Sequence, residues 1–172
     1  MKKILFTGYG NPDREDDGVA WHILCEVANR LGLRSPKSYE DEFPQNDLVD
    51  FNFSLQLTPE MAEEIAGYDH VCFVDAHTGY IPEQVRLIRV ESEFQRSPFT
   101  HHLTPNSLLS FCETIYKKKP SAALLSVRGY HFRFSRELSE ETSALIPQAI
   151  DLVWDWLQTE GIFINSETLK NT

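Results

Sequence analysis

Basic residues are the first thing this chain is short of: 16 Lys and Arg face 26 Asp and Glu across 172 residues, a net charge of −10. Phosphate neutralisation needs clustered Lys and Arg, so the balance argues against nucleic acid as a partner. The lone lysine run, Lys117-Lys118-Lys119, closes a predicted helix, where cations complement the dipole. Apolar runs of membrane-spanning length are missing, so no membrane association is expected. Lys2-Lys3 ahead of a short strand-like run, with no small-residue cleavage site, does not read as a signal peptide, and the expected compartment is the cytoplasm. Cysteines are few, odd in number and far apart, and Cys25, Cys72 and Cys112 each lie in an apolar stretch. That pattern predicts core packing rather than a disulfide framework or a metal cluster. No Cys falls in a predicted loop beside a His, and there is no Gly-x-Ser-x-Gly elbow, which argues against the common nucleophilic hydrolases.

What is present is a chain of one-domain size, 41% apolar, with no internal repeat or linker. A single domain over 1–172 is expected, its tail beyond about residue 160 loosely ordered. Ile4-Leu5-Phe6 reads as a strand, and Val19, Ala20, Ile23, Leu24, Val27 and Leu31 keep helical spacing up to Gly32. After a polar loop from Arg34 to Asp47, Val49, Phe51, Phe53, Leu55 and Leu57 alternate with polar residues, the period of a strand near a sheet edge. Thr58-Pro59 opens a short helix to about Ala66. Val71 to Val74 is a buried strand ending on Asp75, and Gln84 to Val90 is a further strand. Thr104-Pro105 starts a helix that buries Leu108, Leu109 and Cys112. Ala122 to Val127 is a second buried strand, and Ser139 caps one long final helix. Such alternation predicts an α/β fold, a mostly parallel twisted sheet between helices on both faces.

The chemistry concentrates between Lys2 and Gly18, where the first strand runs into Gly8-Tyr9-Gly10-Asn11 and then Glu15-Asp16-Asp17. A dinucleotide fingerprint would carry a third glycine at position 13, where Asp13 stands, and the acids at 13, 15, 16 and 17 would repel a phosphate. A cation suits the turn better. One acid could merely cap the helix, but a tandem pair leaves one carboxylate over. Two further polar groups fall at element ends that converge in such a fold: Asp75, and His101 or His102 just ahead of a helix. Two carboxylates and an imidazole suit a divalent metal such as zinc, manganese or nickel with positions left open. An acid dyad from Asp17 and Asp75 is also compatible with the topology, but the adjacent histidines favour metal. His77, two residues past Asp75, fits a hydrogen-bonding role in its turn.

Taken together, Gly8-x-Gly10-Asn11 with Asp16-Asp17-Gly18, Val74-Asp75-Ala76, His101-His102-Leu103 and the late Leu138-Ser139 helix start resemble the hydrogenase maturation endopeptidases over roughly the whole length. The resemblance implies a three-layer sandwich and a protease that removes the C-terminal extension of a nickel-iron hydrogenase large-subunit precursor after nickel insertion. It further implies nickel supplied by that substrate, contacted by Asp17, Asp75 and His101, with His101 preferred to His102 by the spacing to Leu103, Leu108 and Leu109. Zinc, manganese or cadmium would be able to occupy the same ligands, and a monomer is expected. Ala20 stands where a glycine is often found, and Gln56-Leu57-Thr58-Pro59 replaces a glycine-rich turn, so the type of hydrogenase served is left open. Asp16 is expected to support the turn, with a hydrolytic role as the alternative. The rival from another class is a non-catalytic metal-binding or scaffold protein that kept the fold.

Overall fold

The computed structural model describes residues 3–93, 102–162 and 164. Strand β1 (Ile4–Tyr9) leads through a 3-10 turn (Glu15–Gly18) into helix α1 (Val19–Arg30), and then come β2 (Val49–Ser54), α2 (Met61–Ile65), β3 (His70–His77) and β4 (Val85–Val90). Helix α3 (Pro105–Tyr116), strand β5 (Ser121–Arg128) and helices α4 (Glu140–Ser143) and α5 (Ile146–Thr159) complete the order. The sheet runs β2-β1-β3-β5-β4. Its first four strands are mutually parallel, and β4 returns antiparallel along β5, with β2 at the edge where its wet face predicts it. This is the three-layer α/β arrangement expected from the alternating pattern.

Successive residues of a strand point to opposite faces, so each central strand serves two cores. Ile4, Phe6, Cys72, Val74, Leu125 and Val127 pack under α1 and α5. Leu5, Val71, Phe73 and Ala122 face the other way, against α2 and α3. Phe6 and Phe73 are fully buried, each such side chain contributing roughly 1.5–3 kcal/mol from area removed from water. Cys72 and Cys112 are buried in these cores, while Cys25 is partly buried. Among the described residues no helix is long and apolar enough to cross a membrane.

Two expectations need correcting, and one open alternative closes. Strand β3 does not stop at Asp75: Asp75, Ala76 and His77 pair with Ser126, Val127 and Arg128, because β5 is long enough to carry the ladder past the apolar run. The final helix is two helices. Ser139 caps only α4, and α5 restarts at Ile146 with Pro147, which lacks an N–H, in its first turn. Neither Asp16 nor Asp17 caps a helix by its side chain; α1 begins at Val19 behind the 3-10 turn.

Candidate functional site

The turn after β1 is set by Gly10. Its φ of +146° is a conformation that L side chains rarely adopt, and a Cβ there would meet the Asp17 carbonyl oxygen at 2.0 Å. Glycine therefore lets the chain fold back onto the 3-10 turn. The Asn11 side-chain oxygen accepts the Asp13 N–H at 3.0 Å, and the Asn11 N–H donates to Asp17 Oδ2 at 2.7 Å. Asp17 is thus oriented by backbone, with no basic partner among the described residues.

Asp75 reaches the same place from the neighbouring strand. Gly8 pairs with Val74, so Tyr9 and Asp75 follow side by side on the face shared by Leu5, Val71 and Phe73. The Tyr9 hydroxyl lies beside the Asp75 carboxyl. Burial, and after it the charge of Asp17, pushes Asp75 up to about 7, against which the Ala76 N–H and the Tyr9 hydroxyl act. Burial first and Asp75 second raise the Tyr9 hydroxyl well above the ordinary phenol range. Among the described residues neither acid is ion-paired, so the two charges oppose one another in this corner.

Both acids line a cleft of about 710 Å³ with Tyr9, Gly10, Tyr80, His102 and the Thr104-Pro105 start of α3. Leu55, Leu57, Pro59, Leu103 and Leu124 give it an apolar side. The cleft lies beyond the carboxyl ends of the parallel strands, where open α/β sheets hold their ligands. Tyr80 is 71% exposed at its mouth.

Asp16, one residue before Asp17, is spent otherwise. It is fully buried. Its Oδ2 accepts the N–H groups of Tyr130 and His131 at 2.8 and 2.9 Å and the Ser139 hydroxyl at 2.7 Å, and its Oδ1 accepts the Ser139 N–H at 2.8 Å. Burial raises this acid, but the hydrogen bonds from Ser139, Tyr130 and His131 outweigh it and hold Asp16 below the ordinary range. The Ser139 hydroxyl also accepts the Thr142 N–H as the cap of α4. Glu15, with φ of 47°, receives Arg133 Nε at 3.1 Å, and Arg136 bridges Asp13 and Glu40. The acidic turn is thereby tied to the loop between β5 and α4, and the supporting role expected of Asp16 is the one observed. The geometry gives no support to a hydrolytic Asp16, since the carboxylate is fully buried and takes four hydrogen bonds.

The sequence-predicted residues divide clearly. Asp17 and Asp75 come together, and His102 lines the same cleft. His101 lies outside the described residues. Among the described residues no group of three His, Cys, Asp or Glu side chains is placed to hold a metal ion. His77 is buried, its Nδ1 accepting the Gly79 N–H at 3.1 Å, in keeping with a role in the turn. Tyr9 and Tyr80 escaped the sequence reading. For Tyr9 the usable signal was a large polar aromatic between two turn glycines, next in register to Asp75.

A scan of the sequence against protein-family models and a search of curated proteins gave no match. Solved structures do match. The hydrogenase-maturating endopeptidase HybD from E. coli superposes with a TM-score of 0.65 at 19% identity, covering 92% of this chain and 94% of that one. The [NiFe] hydrogenase maturation protease HycI from Thermococcus kodakarensis gives 0.62 at 18% identity over 91% and 93%. The hydrogenase 2 maturation peptidase from Thaumarchaeota archaeon SCGC_AB-539-E09 gives 0.58 at 22% identity over 94% and 100%. With the cleft placed at the strand ends and the likeness running nearly end to end, this chain has the fold of the solved hydrogenase maturation endopeptidases.

Proposed function

We propose that the chain is an endopeptidase that removes the C-terminal extension of a nickel-iron hydrogenase large-subunit precursor once nickel has been inserted, acting in the cytoplasm as a monomer. The observation that carries the proposal is the Asp17–Asp75 pair, two acids with no basic partner among the described residues, facing one cleft in this fold. The donor set fits a divalent ion, since paired carboxylates relieve their mutual repulsion by sharing a cation. In this reading the nickel is part of the substrate. Asp17, Asp75 and His101 contact it, with His102, a lining residue of the cleft, as the alternative imidazole.

A divalent metal at that position supplies Lewis-acid polarisation of the scissile carbonyl or a more acidic water. The protein's part is positional. The Asn11 N–H fixes one oxygen of Asp17, the Tyr9 hydroxyl steadies Asp75, and the apolar side of the cleft holds the polypeptide beside them while limiting water. No side chain then has to act as the nucleophile.

The test is incubation of the purified chain with nickel-loaded and nickel-free precursor, reading the mass of the large subunit. Loss of the extension from the loaded form alone is expected. Cleavage of the nickel-free form would overturn the metal-dependent mechanism, and cleavage of neither would favour a non-catalytic scaffold.

A further inference from the structure

We infer that Arg86 and Arg128 form a carboxylate-binding subsite on the Asp75 side of the sheet, which takes a carboxylate of the substrate polypeptide about three residues from the scissile bond; the inference rests on the processing reading. The strand register places the parts. Asp75 pairs with Ser126, and Ser126 pairs with Arg86 on the next strand, so the three residues form a row across β3, β5 and β4 on one face. Arg128 lies two residues along from Ser126, opposite His77, and so on that same face.

Both guanidinium groups stand out in an acid-rich molecule. Arg30, Arg89, Arg133 and Arg136 each pair with an acid, and Arg14 and Arg34 are exposed. Arg86 and Arg128 are partly buried, and neither has an acidic partner among the described residues. Arg86 Nε is buried with no hydrogen-bond partner. Arg128 donates from Nε to its neighbour's carbonyl, Gly129 O, at 3.2 Å and lies 4.9 Å from the Tyr130 ring centroid. A buried charged donor left unmade is costly, and its presence points to an acceptor that arrives with something else.

The pair does not line the cleft but adjoins it through His77 and Tyr80. Burial lowers the His77 imidazole, and the charges of Arg128 and Arg86 add to that lowering; the ring meets Tyr80 edge-on at 5.7 Å. Tyr80, a lining residue of the cleft, lies within the fields of both Asp75 and Arg86. Arg128 leans on the turn that carries Tyr80, its Nη1 standing 1.7 Å from where a Gly79 Cβ would be. The Arg fork matches a carboxylate in shape and charge. Two steps across the sheet span about 10 Å, which an extended chain covers in about three residues. On a polypeptide the carboxylate is either an Asp or Glu side chain or the chain's own terminus.

The test uses synthetic peptides matching the precursor C-terminal segment, prepared with the free terminus, with a C-terminal amide, and with each nearby Asp or Glu replaced by its amide. Binding is measured for wild type, Arg86→Gln, Arg128→Gln and Arg86→Lys, with melting curves to confirm folding. Wild type should prefer one carboxylate form, and which change removes the preference identifies the source. Each Gln variant should lose about ten- to a hundredfold in affinity for that peptide and be indifferent to the amide change, with Arg86→Lys intermediate. On nickel-loaded precursor the same loss should appear in KM, with kcat little altered. Equal wild-type binding of acid and amide peptides, or wild-type affinity in both folded Gln variants, would overturn the subsite. Failure of wild type to cleave any precursor, with carboxylate-selective binding intact, would overturn the processing reading and leave the subsite standing.

Discussion

Asp16 and Asp17 are identical in chemistry and adjacent on one 3-10 turn, yet their surroundings could hardly differ more. Asp16 is enclosed and takes four hydrogen bonds from the loop that follows β5. Asp17 takes one backbone N–H and opens onto the cleft, where its charge helps push Asp75 up to about 7. Where both oxygens are hydrogen-bonded, an acid stabilises the fold; where two acids meet without a paired cation, it opposes the fold and is available to a ligand. The same acidic run thus serves as a brace and as half of a site.

The sharpest way to break this contrast is to remove the brace. Asp16→Ala strands four donors, the two of Ser139 buried and those of Tyr130 and His131 partly so, so a loss of about 3–5 kcal/mol is expected, or roughly 6–15 °C in Tm for a chain of this size. Because the folded-state value of Asp16 is depressed, its contribution is present above the ordinary carboxylate range and is lost as pH falls through the folded value. Thermal melts of wild type at neutral and at strongly acidic pH would show it. Wild-type stability in Asp16→Ala would mean the brace is ornamental.

Asp75 should behave in the opposite sense, with a smaller amplitude. With its folded value raised to about 7, the native state binds more protons than the unfolded chain between about pH 4 and 7, so stability falls as pH rises through that window. Asp75→Asn removes the penalty and is expected to stabilise the protein by roughly 1–3 kcal/mol at pH 8, a gain that shrinks toward pH 4. Urea titrations at the two pH values measure it, and a destabilised Asp75→Asn at pH 8 would sink the unbalanced-pair account. Smaller still is the effect of Tyr9→Phe. Losing the hydroxyl that favours the ionised acid should move the Asp75 midpoint upward by a fraction of a unit, readable from its carboxyl carbon by NMR; a downward move would contradict the contact.

Much of this was legible in the sequence, for physical reasons. Runs such as Val71 to Val74 and the helical spacing from Val19 to Leu31 are dictated by burial, and burial writes itself into local pattern. The Gly8-x-Gly10 turn and the convergence of Asp17 with Asp75 followed from the topology of parallel strands. What local pattern could not carry were partnerships more than a hundred residues apart. Asp16 meets Ser139, Tyr130 and His131 only because β5 lies two strands from β1 and the loop after it turns back. The extension of β3 past Asp75 was hidden for a similar reason, since its polar end is paired by β5 rather than by its own hydrophobicity. The break at Leu145 shows the converse: Pro147 was present in the sequence, but helical spacing on either side masked it.

The most direct measurement compares wild type, Asp17→Asn and Asp75→Asn on nickel-loaded precursor under single-turnover conditions, with melting curves recorded in parallel. Both variants should stay folded, Asp75→Asn more stably than wild type at pH 8, and both should leave the C-terminal extension in place. Removal of the extension at the wild-type rate by either variant would contradict the assignment of the paired acids to the working site.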